Sequence, residues 1–390
     1  MKSGRIKETK KMSPENAILL AFAQPIVEKA QLLSAIDDYI EKCDQDLLLK
    51  LAKLHKLNSI IYESIRNHAL ESYFSEKFVQ SLGELYKSVF FKNIKLFEVF
   101  KKVVDTLQKE SIECMALKGI ALASDIYPNP CLRPMIDIDI LIREYQHPRA
   151  LQILQCIGRV SQYENKTGLS DYAKDKSIVI SGVSVEVHKM FTAEYQHVFF
   201  PSEILWQNSH IVERNASKYS VLNHEANINA LATHLFVHAE AESPKFIWFL
   251  DIALYINKYR QQIDNDYLWE LSRTMGSTQA LIYSFLFVEK YLNVHIEWPE
   301  NIDKTTNLSL EKVFFDTFPE TTIKTKAYYT DKVKMIPGMG NRLKYVVSRF
   351  FPSVGYMKIK YRKKTKLGAV LYYPVFLKDA VAVLFKSMRK

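Results

Sequence analysis

Three Asp-x-Asp triplets stand out in this 390-residue chain, because paired carboxylates can hold a divalent metal. Asp44-Gln-Asp46 lies between helical stretches and Asp264-Asn-Asp266 in a polar turn, where acids read as solvated groups or helix caps. Asp137-Ile-Asp139 alone sits in an apolar alternation, Met135-Ile-Asp-Ile-Asp-Ile-Leu-Ile142, and therefore on a strand. Residues two apart on a strand share a face, so both carboxylates project together while Ile136, Ile138 and Ile140 are expected to pack on the other face. Adjacent carboxylates against a buried sheet repel each other unless a cation compensates, and a divalent metal is the simplest such cation. Hard oxygen donors select Mg²⁺ or Mn²⁺ and leave positions open for substrate phosphates.

Glu186 is the candidate third carboxylate. It lies on the polar side of a second alternation, Val183, Val185 and Val187 against Ser184, Glu186 and His188, and joins the pair if the two strands are neighbours. Three carboxylates could hold two metals that activate an attacking hydroxyl and stabilise a departing pyrophosphate. Lys118 and Gly119 end a short apolar run and open a helix, where backbone N–H groups face an anion; Lys118 either adds charge there or snorkels from the strand end. Arg133 reads as a bidentate phosphate ligand or as a neutraliser of the acids. His188 reads as structural, with substrate contact as the alternative. His234 and His238 have zinc-clamp spacing, but Leu235-Phe-Val237 lacks the Glu of a metalloprotease and no third ligand is evident, so packing is expected. Lys245 and Asp251 flank an apolar run and either line the cleft or pair with each other, Asp251 being read as structural.

These groups need a scaffold. Residues 14–111 carry apolar positions at helical spacing with few breakers, and residues 112–118 read as a buried strand. A short helix over 119–126, a two-proline loop over 127–130, the strand over 135–142 and a helix over 148–157 follow. Polar residues to Ser177 form a loop or irregular hairpin, residues 178–188 a strand, and residues 226–259 and 278–292 helices. The expected organisation is a helical region over 1–95, an α/β core over 96–200, a helical domain closing the cleft over 201–330 and a basic aromatic tail over 331–390.

Composition removes other classes. Only 11 glycines occur, none in a Gly-x-Gly-x-x-Gly run and no two five apart, which excludes dinucleotide and Walker-type phosphate loops. The four cysteines include no C-x-x-C pair, arguing against a zinc ribbon or disulfide framework. The opening residues show no apolar leader and no stretch is long enough to span a bilayer, so a cytoplasmic protein is expected. The net charge of +10 is uneven: residues 332–390 hold 15 Lys and Arg against one acid, making this tail +14 and the preceding chain −4. Such a tail is expected to contact an anionic membrane through residues 340–390; nucleic acid is the weaker choice, since no nucleic-acid-binding motif accompanies the charge.

The runs Ala116-Leu-Lys-Gly-Ile-Ala-Leu-Ala123, Tyr127-Pro-Asn-Pro130 and Leu132-Arg-Pro-Met-Ile-Asp-Ile-Asp-Ile-Leu-Ile142 resemble the hallmark of the uncharacterised nucleotidyltransferase family, within the DNA polymerase β-like superfamily. Val185-Glu-Val-His188 is similar to that family's third-carboxylate strand. His234, His238 and Phe246–Ile252 resemble its helical segments, and Phe351-Pro-Ser-Val-Gly-Tyr356 its C-terminal end. The wider superfamily carries Gly-Ser before its acidic pair; here Lys-Gly stands eighteen residues ahead of Asp137, as in the family's own version. The resemblance implies an α+β fold: a small mixed-sheet nucleotidyltransferase core with helices, flanked by N-terminal and C-terminal helical regions. It further implies catalytic, metal-binding Asp137 and Asp139, a third acid at Glu186, and a nucleotide-phosphate loop at Lys118 and Gly119. The activity implied is transfer of an NMP from an NTP to a hydroxyl or phosphate acceptor; the alternative is an inactive membrane-peripheral or assembly module.

Overall fold

The computed structural model describes residues 12–160, 175–191, 202–214, 216–238, 244–304 and 365–378, with isolated positions between 339 and 361. Five helices open the chain: α1 (Pro14–Phe22), α2 (Lys29–Tyr39), α3 (Gln45–Leu54), α4 (Asn58–His68) and α5 (Glu76–Lys109). Side-chain oxygens of Ser13, Asp44 and Ser75 cap α1, α3 and α5 by accepting backbone N–H groups of the first turn. Asp44 is therefore a cap, as its context suggested, and Asp46 pairs at the surface with Lys77. The long α5 runs through residue 95 without interruption. Phe78 and Leu82 pack among helices, whereas Leu96, Val99, Val103 and Leu107 cover one face of the sheet against Ile138, Ile140, Val185 and Val187.

That sheet contains β1 (Cys114–Leu117), β2 (Asp137–Ile142), β3 (Arg159–Val160), β4 (Asp175–Ile180), β5 (Val183–His188), β6 (Ser209–Arg214) and β7 (Ser217–Leu222), in the order β3-β4-β5-β2-β1-β7-β6. β2 runs parallel to β5 and β1 to β7, and the remaining pairs are antiparallel. Helices α6 (Lys118–Ala123), α7 (His147–Gln155) and α8 (Ser202–Gln207) lie between strands. The sheet's second face buries Met115, Leu117, Leu141 and Leu222 against Leu205, Trp206 and Ala226. Four helices follow: α9 (His224–His238), α10 (Phe246–Tyr259), α11 (Asn265–Thr274), whose cap is Asp264, and α12 (Thr278–Leu292). They share one core with the opening helices, Ile18, Phe22, Leu48 and Ile61 packing in the same cluster as Phe249, Ile252, Leu281 and Phe285.

The mixed-sheet core flanked by helices is as expected, with three local differences. The single strand read over 178–188 is a hairpin. Ser181 and Gly182 both adopt positive φ, the combination that a two-residue primed turn requires. The β6–β7 hairpin lies in a stretch expected to be helical; half of β6 faces solvent, so it lacks an apolar alternation to announce it. Ile136 is 56% exposed and does not pack with Ile138 and Ile140, because pairing with β5 begins only at Asp137 opposite Ser184. The polar stretch to Ser177 lies largely outside the described residues, as does most of the basic tail, including most of the Phe351–Tyr356 motif. Among the described residues no helix is long and apolar enough to cross a membrane.

Candidate active site

β2 and β5 position the acids. Their parallel register sets Asp139 opposite Glu186 and Asp137 opposite Ser184, while β1 sets Leu117 opposite Asp139. Residues paired in register share a face, so Asp137, Asp139 and Glu186 project together, at the end of the face whose other end is buried around Leu141. Asp139 is 6% exposed, whereas Asp137 and Glu186 are half-buried.

The compensating cation that the paired acids require is present as a side chain. Lys118 Nζ donates to Asp139 Oδ1 at 2.6 Å, and His188 Nε2 lies 2.8 Å from the same oxygen and 3.5 Å from Glu186 Oε2. Burial opposes ionisation of Asp139, but the Lys118 charge and the His188 hydrogen bond overcome it and hold the carboxyl well below its usual range. Asp137 behaves oppositely: burial, then the neighbouring Asp139 charge, raise it. Lys118 sits at positive φ, a conformation costing a non-glycine residue roughly 1–2 kcal/mol, which aims its stem across the β1–α6 turn at Asp139.

One donor atom each from Asp139, Glu186 and His188 lies within 4.8 Å of the others, a grouping that fits a cation. The expected ligand set was Asp137, Asp139 and Glu186. The structure brings the last two together, adds His188, and leaves Asp137 on the same face outside this tight group. The signal for His188 was its place two residues after Glu186 on the same strand.

Arg133 bonds directly to a further carboxylate, Asp251, while its charge still acts on Asp137 as a neutraliser of the acids. Its Nε donates to Asp251 Oδ1 at 2.8 Å and its Nη2 to Asp251 Oδ2 at 2.6 Å, and Tyr127 Oη donates to Oδ1 at 2.7 Å. The Arg133 and Asp251 side chains are 8% and 1% exposed. Two donors of the Arg133 fork are thus committed to α10 rather than aimed at the acids. The partner of Asp251 is Arg133, not Lys245, whose Nζ sits 5.5 Å from the Trp248 ring centre. Gly119 belongs to this arrangement: a Cβ there would come within 2.6 Å of Arg133 Nη1. The two-proline loop leading to Arg133 is short of N–H donors, and Asn93 of α5 supplies them, donating to the carbonyls of Pro130 at 2.8 Å and Arg133 at 3.0 Å. His234 packs edge-on against Trp248 as expected for a packing role, and the His238 side chain lies outside those described.

The mixed sheet gathers carboxylates from neighbouring strands beside a strand–turn–helix junction, the arrangement that the sequence resemblance implies. Residues 41–293, well over half the chain, match the uncharacterised nucleotidyltransferase family, and the chain belongs to it. Among solved structures it is similar to an antigenic nucleotidyltransferase-like protein from Paracoccidioides brasiliensis, with 14% identity over 52% of this chain and 94% of that one and a TM-score of 0.37. A comparison with curated proteins returned no match.

Proposed function

We propose that the protein is a divalent-metal-dependent nucleotidyltransferase that moves an NMP from an NTP to a hydroxyl or phosphate acceptor and releases pyrophosphate. The observation that carries this reading is the β2–β5 register, which sets Glu186 beside Asp139 and Asp137 on one face of the sheet. The donor set suits a hard cation: Asp139 and Glu186 supply carboxylate oxygens, Asp137 adds a third on the same face, and His188 fixes the Asp139 carboxylate through Nε2. When bound, Mg²⁺ or Mn²⁺ neutralises triphosphate charge and stabilises the departing pyrophosphate.

In this reading the acceptor oxygen attacks the α-phosphorus, the bond to the β-phosphate oxygen breaks, and pyrophosphate leaves with the electron pair. Where the acceptor is a hydroxyl, half-exposed Glu186 takes its proton. Lys118 holds Asp139 ionised in the unliganded chain and then, with the Gly119 backbone, orients the triphosphate. Arg133 acts at one remove, tying the loop that feeds β2 to α10.

The test is transfer of label from each α-labelled NTP to candidate acceptors with Mg²⁺ or Mn²⁺. The wild type transfers label and the Asp137→Ala/Asp139→Ala double variant does not; equal transfer by both would sink the assignment. The tail is assigned separately, as a contact for anionic membrane. Leu367 and Leu371, 73% and 69% exposed, stand one helical turn apart in this basic segment. Co-sedimentation with phosphatidylserine vesicles should be lost when residues after 340 are removed, and unchanged binding would exclude the role.

A further inference from the structure

Lys56 lies in the turn between α3 and α4, far in sequence from every acid of the site, yet the fold brings its ammonium into the fields of Asp137, Asp251, Arg133 and Lys245. Its backbone is fixed. Lys56 N–H donates to Lys53 O and Leu57 N–H to Ala52 O, the two bonds that close a helix C-terminus over a left-handed residue. The turn is also pinned to α10, with His55 Nδ1 accepting from Phe246 N–H at 3.1 Å and His55 O from Ile247 N–H at 3.3 Å.

Three features of this position are unfavourable for a lysine. Its φ is +59°, in a place that glycine ordinarily occupies. The side chain is half-buried. Two further cations, Arg133 and Lys245, stand near, and Asp251 is already bonded to Arg133. Among the described residues the Lys56 ammonium has no hydrogen-bond or ion-pair partner. Backbone geometry gives no reason for a lysine here, and a lysine selected only for solubility would stand in water. A negatively charged ligand arriving at the Asp137 side of the site would satisfy it. Lys118 makes an instructive parallel: a second lysine on left-handed backbone, aimed at Asp139. Two lysines on left-handed backbone thus act on the two strand carboxylates, Lys118 bonded to Asp139 from the core and Lys56 acting through its charge on Asp137 from the helical region.

We propose that Lys56 binds a substrate phosphate group, so that the N-terminal helical region forms part of the active site and does not merely support it. This rests on the nucleotidyltransferase reading above. The phosphate belongs either to the nucleotide or to a phosphorylated acceptor, and the chemistry at Lys56 is the same for both.

The experiment is calorimetric titration of the full chain with each of the four NTPs in Mg²⁺, then with inorganic phosphate added to the NTP-bound protein, using wild type, Lys56→Gln, Lys56→Gly and Lys56→Arg. Lys56→Gln and Lys56→Gly are expected to weaken NTP binding about tenfold, with Lys56→Arg recovering most of it, while circular dichroism shows all three folded. Glycine relieves the backbone conformation, so its loss of affinity cannot come from misfolding of the turn. Weakened binding of inorganic phosphate with unchanged NTP affinity supports the proposal and assigns the phosphate to the acceptor. NTP and phosphate affinities unchanged in both charge-removing variants, with NTP binding abolished in Asp137→Asn, overturn the Lys56 assignment alone. A wild type that binds none of the four NTPs overturns this assignment and the nucleotidyltransferase reading together.

Discussion

Replacing Asp251 with alanine is expected to destabilise the protein severely through a cross-link that lies beside the strand acids and is not one of them. The change leaves Arg133, whose side chain is 8% exposed, without its carboxylate and removes the acceptor of Tyr127 Oη. Three hydrogen bonds to an ionised group, at about 1.5–3 kcal/mol each, bound the loss from above. Stranding a buried charge by deleting its partner costs about 3–5 kcal/mol, and that is the expected value, because water enters the space left and recovers part of the bonding. Removing both charges together, in Arg133→Met/Asp251→Leu, should cost much less than the single change, because no charge is left buried and unpaired. Urea unfolding followed by far-UV circular dichroism reads both. The single variant should also slow any NMP transfer, since the loop held by Arg133 runs directly into Asp137. A single-variant loss under about 1 kcal/mol, or a double variant as unstable as the single one, would refute the account of this crosslink.

Gly119→Ala places a Cβ 2.6 Å from Arg133 Nη1 and should cost about 1–3 kcal/mol by the same unfolding assay, while Gly83→Ala, against the edge of the Tyr62 ring at 3.1 Å, should cost less. Burial, with Arg133 and Lys245 adding to it, lowers Lys56 to about 8 against a normal lysine value near 10.4, so between these limits the unfolded chain binds more protons and stability rises with pH. Lys56→Met should therefore raise the urea midpoint at pH 7, and its advantage should shrink as pH climbs above 8; a pH-independent difference would contradict this. His188→Phe should lower Mn²⁺ affinity about 10- to 100-fold by removing the group that orients Asp139 at 2.8 Å, as calorimetry would show.

The acids were legible because they form the polar half of apolar alternations. Asp137 and Asp139 alternate with isoleucines, and Glu186 with valines, so period-two reading put each on the correct face, and the β2–β5 pairing then joined them. The β4–β5 turn carries a signal in the Ser181-Gly182 dipeptide, but the apolar residues on both sides continue one strand pattern and masked it. Arg133 was legible as a cation near acids, but its choice of Asp251 over Asp137 depends on α10 packing beside the loop, a contact between residues over a hundred positions apart. Lys56 left no trace at all. Its neighbours in sequence are helix residues, and only the shared core of the opening and closing helices brings it into the field of Asp137. Local periodicity therefore reported the strands, their acids and the cations Lys118 and Arg133, while the acid that each cation pairs with was set by tertiary contacts.

The central claim, that Asp139 and Glu186 hold the metal of a nucleotidyl transfer with Asp137 beside them, is tested most directly by crystals grown with Mn²⁺ and a non-hydrolysable NTP. Anomalous scattering locates Mn²⁺ independently of any assumed ligand. The account predicts an anomalous peak in coordination contact with the Asp139 and Glu186 carboxylates, Lys118 Nζ displaced from Asp139, and the triphosphate on the same side. Mn²⁺ and nucleotide bound away from β2 and β5, or nucleotide bound with no peak between those carboxylates, would contradict it.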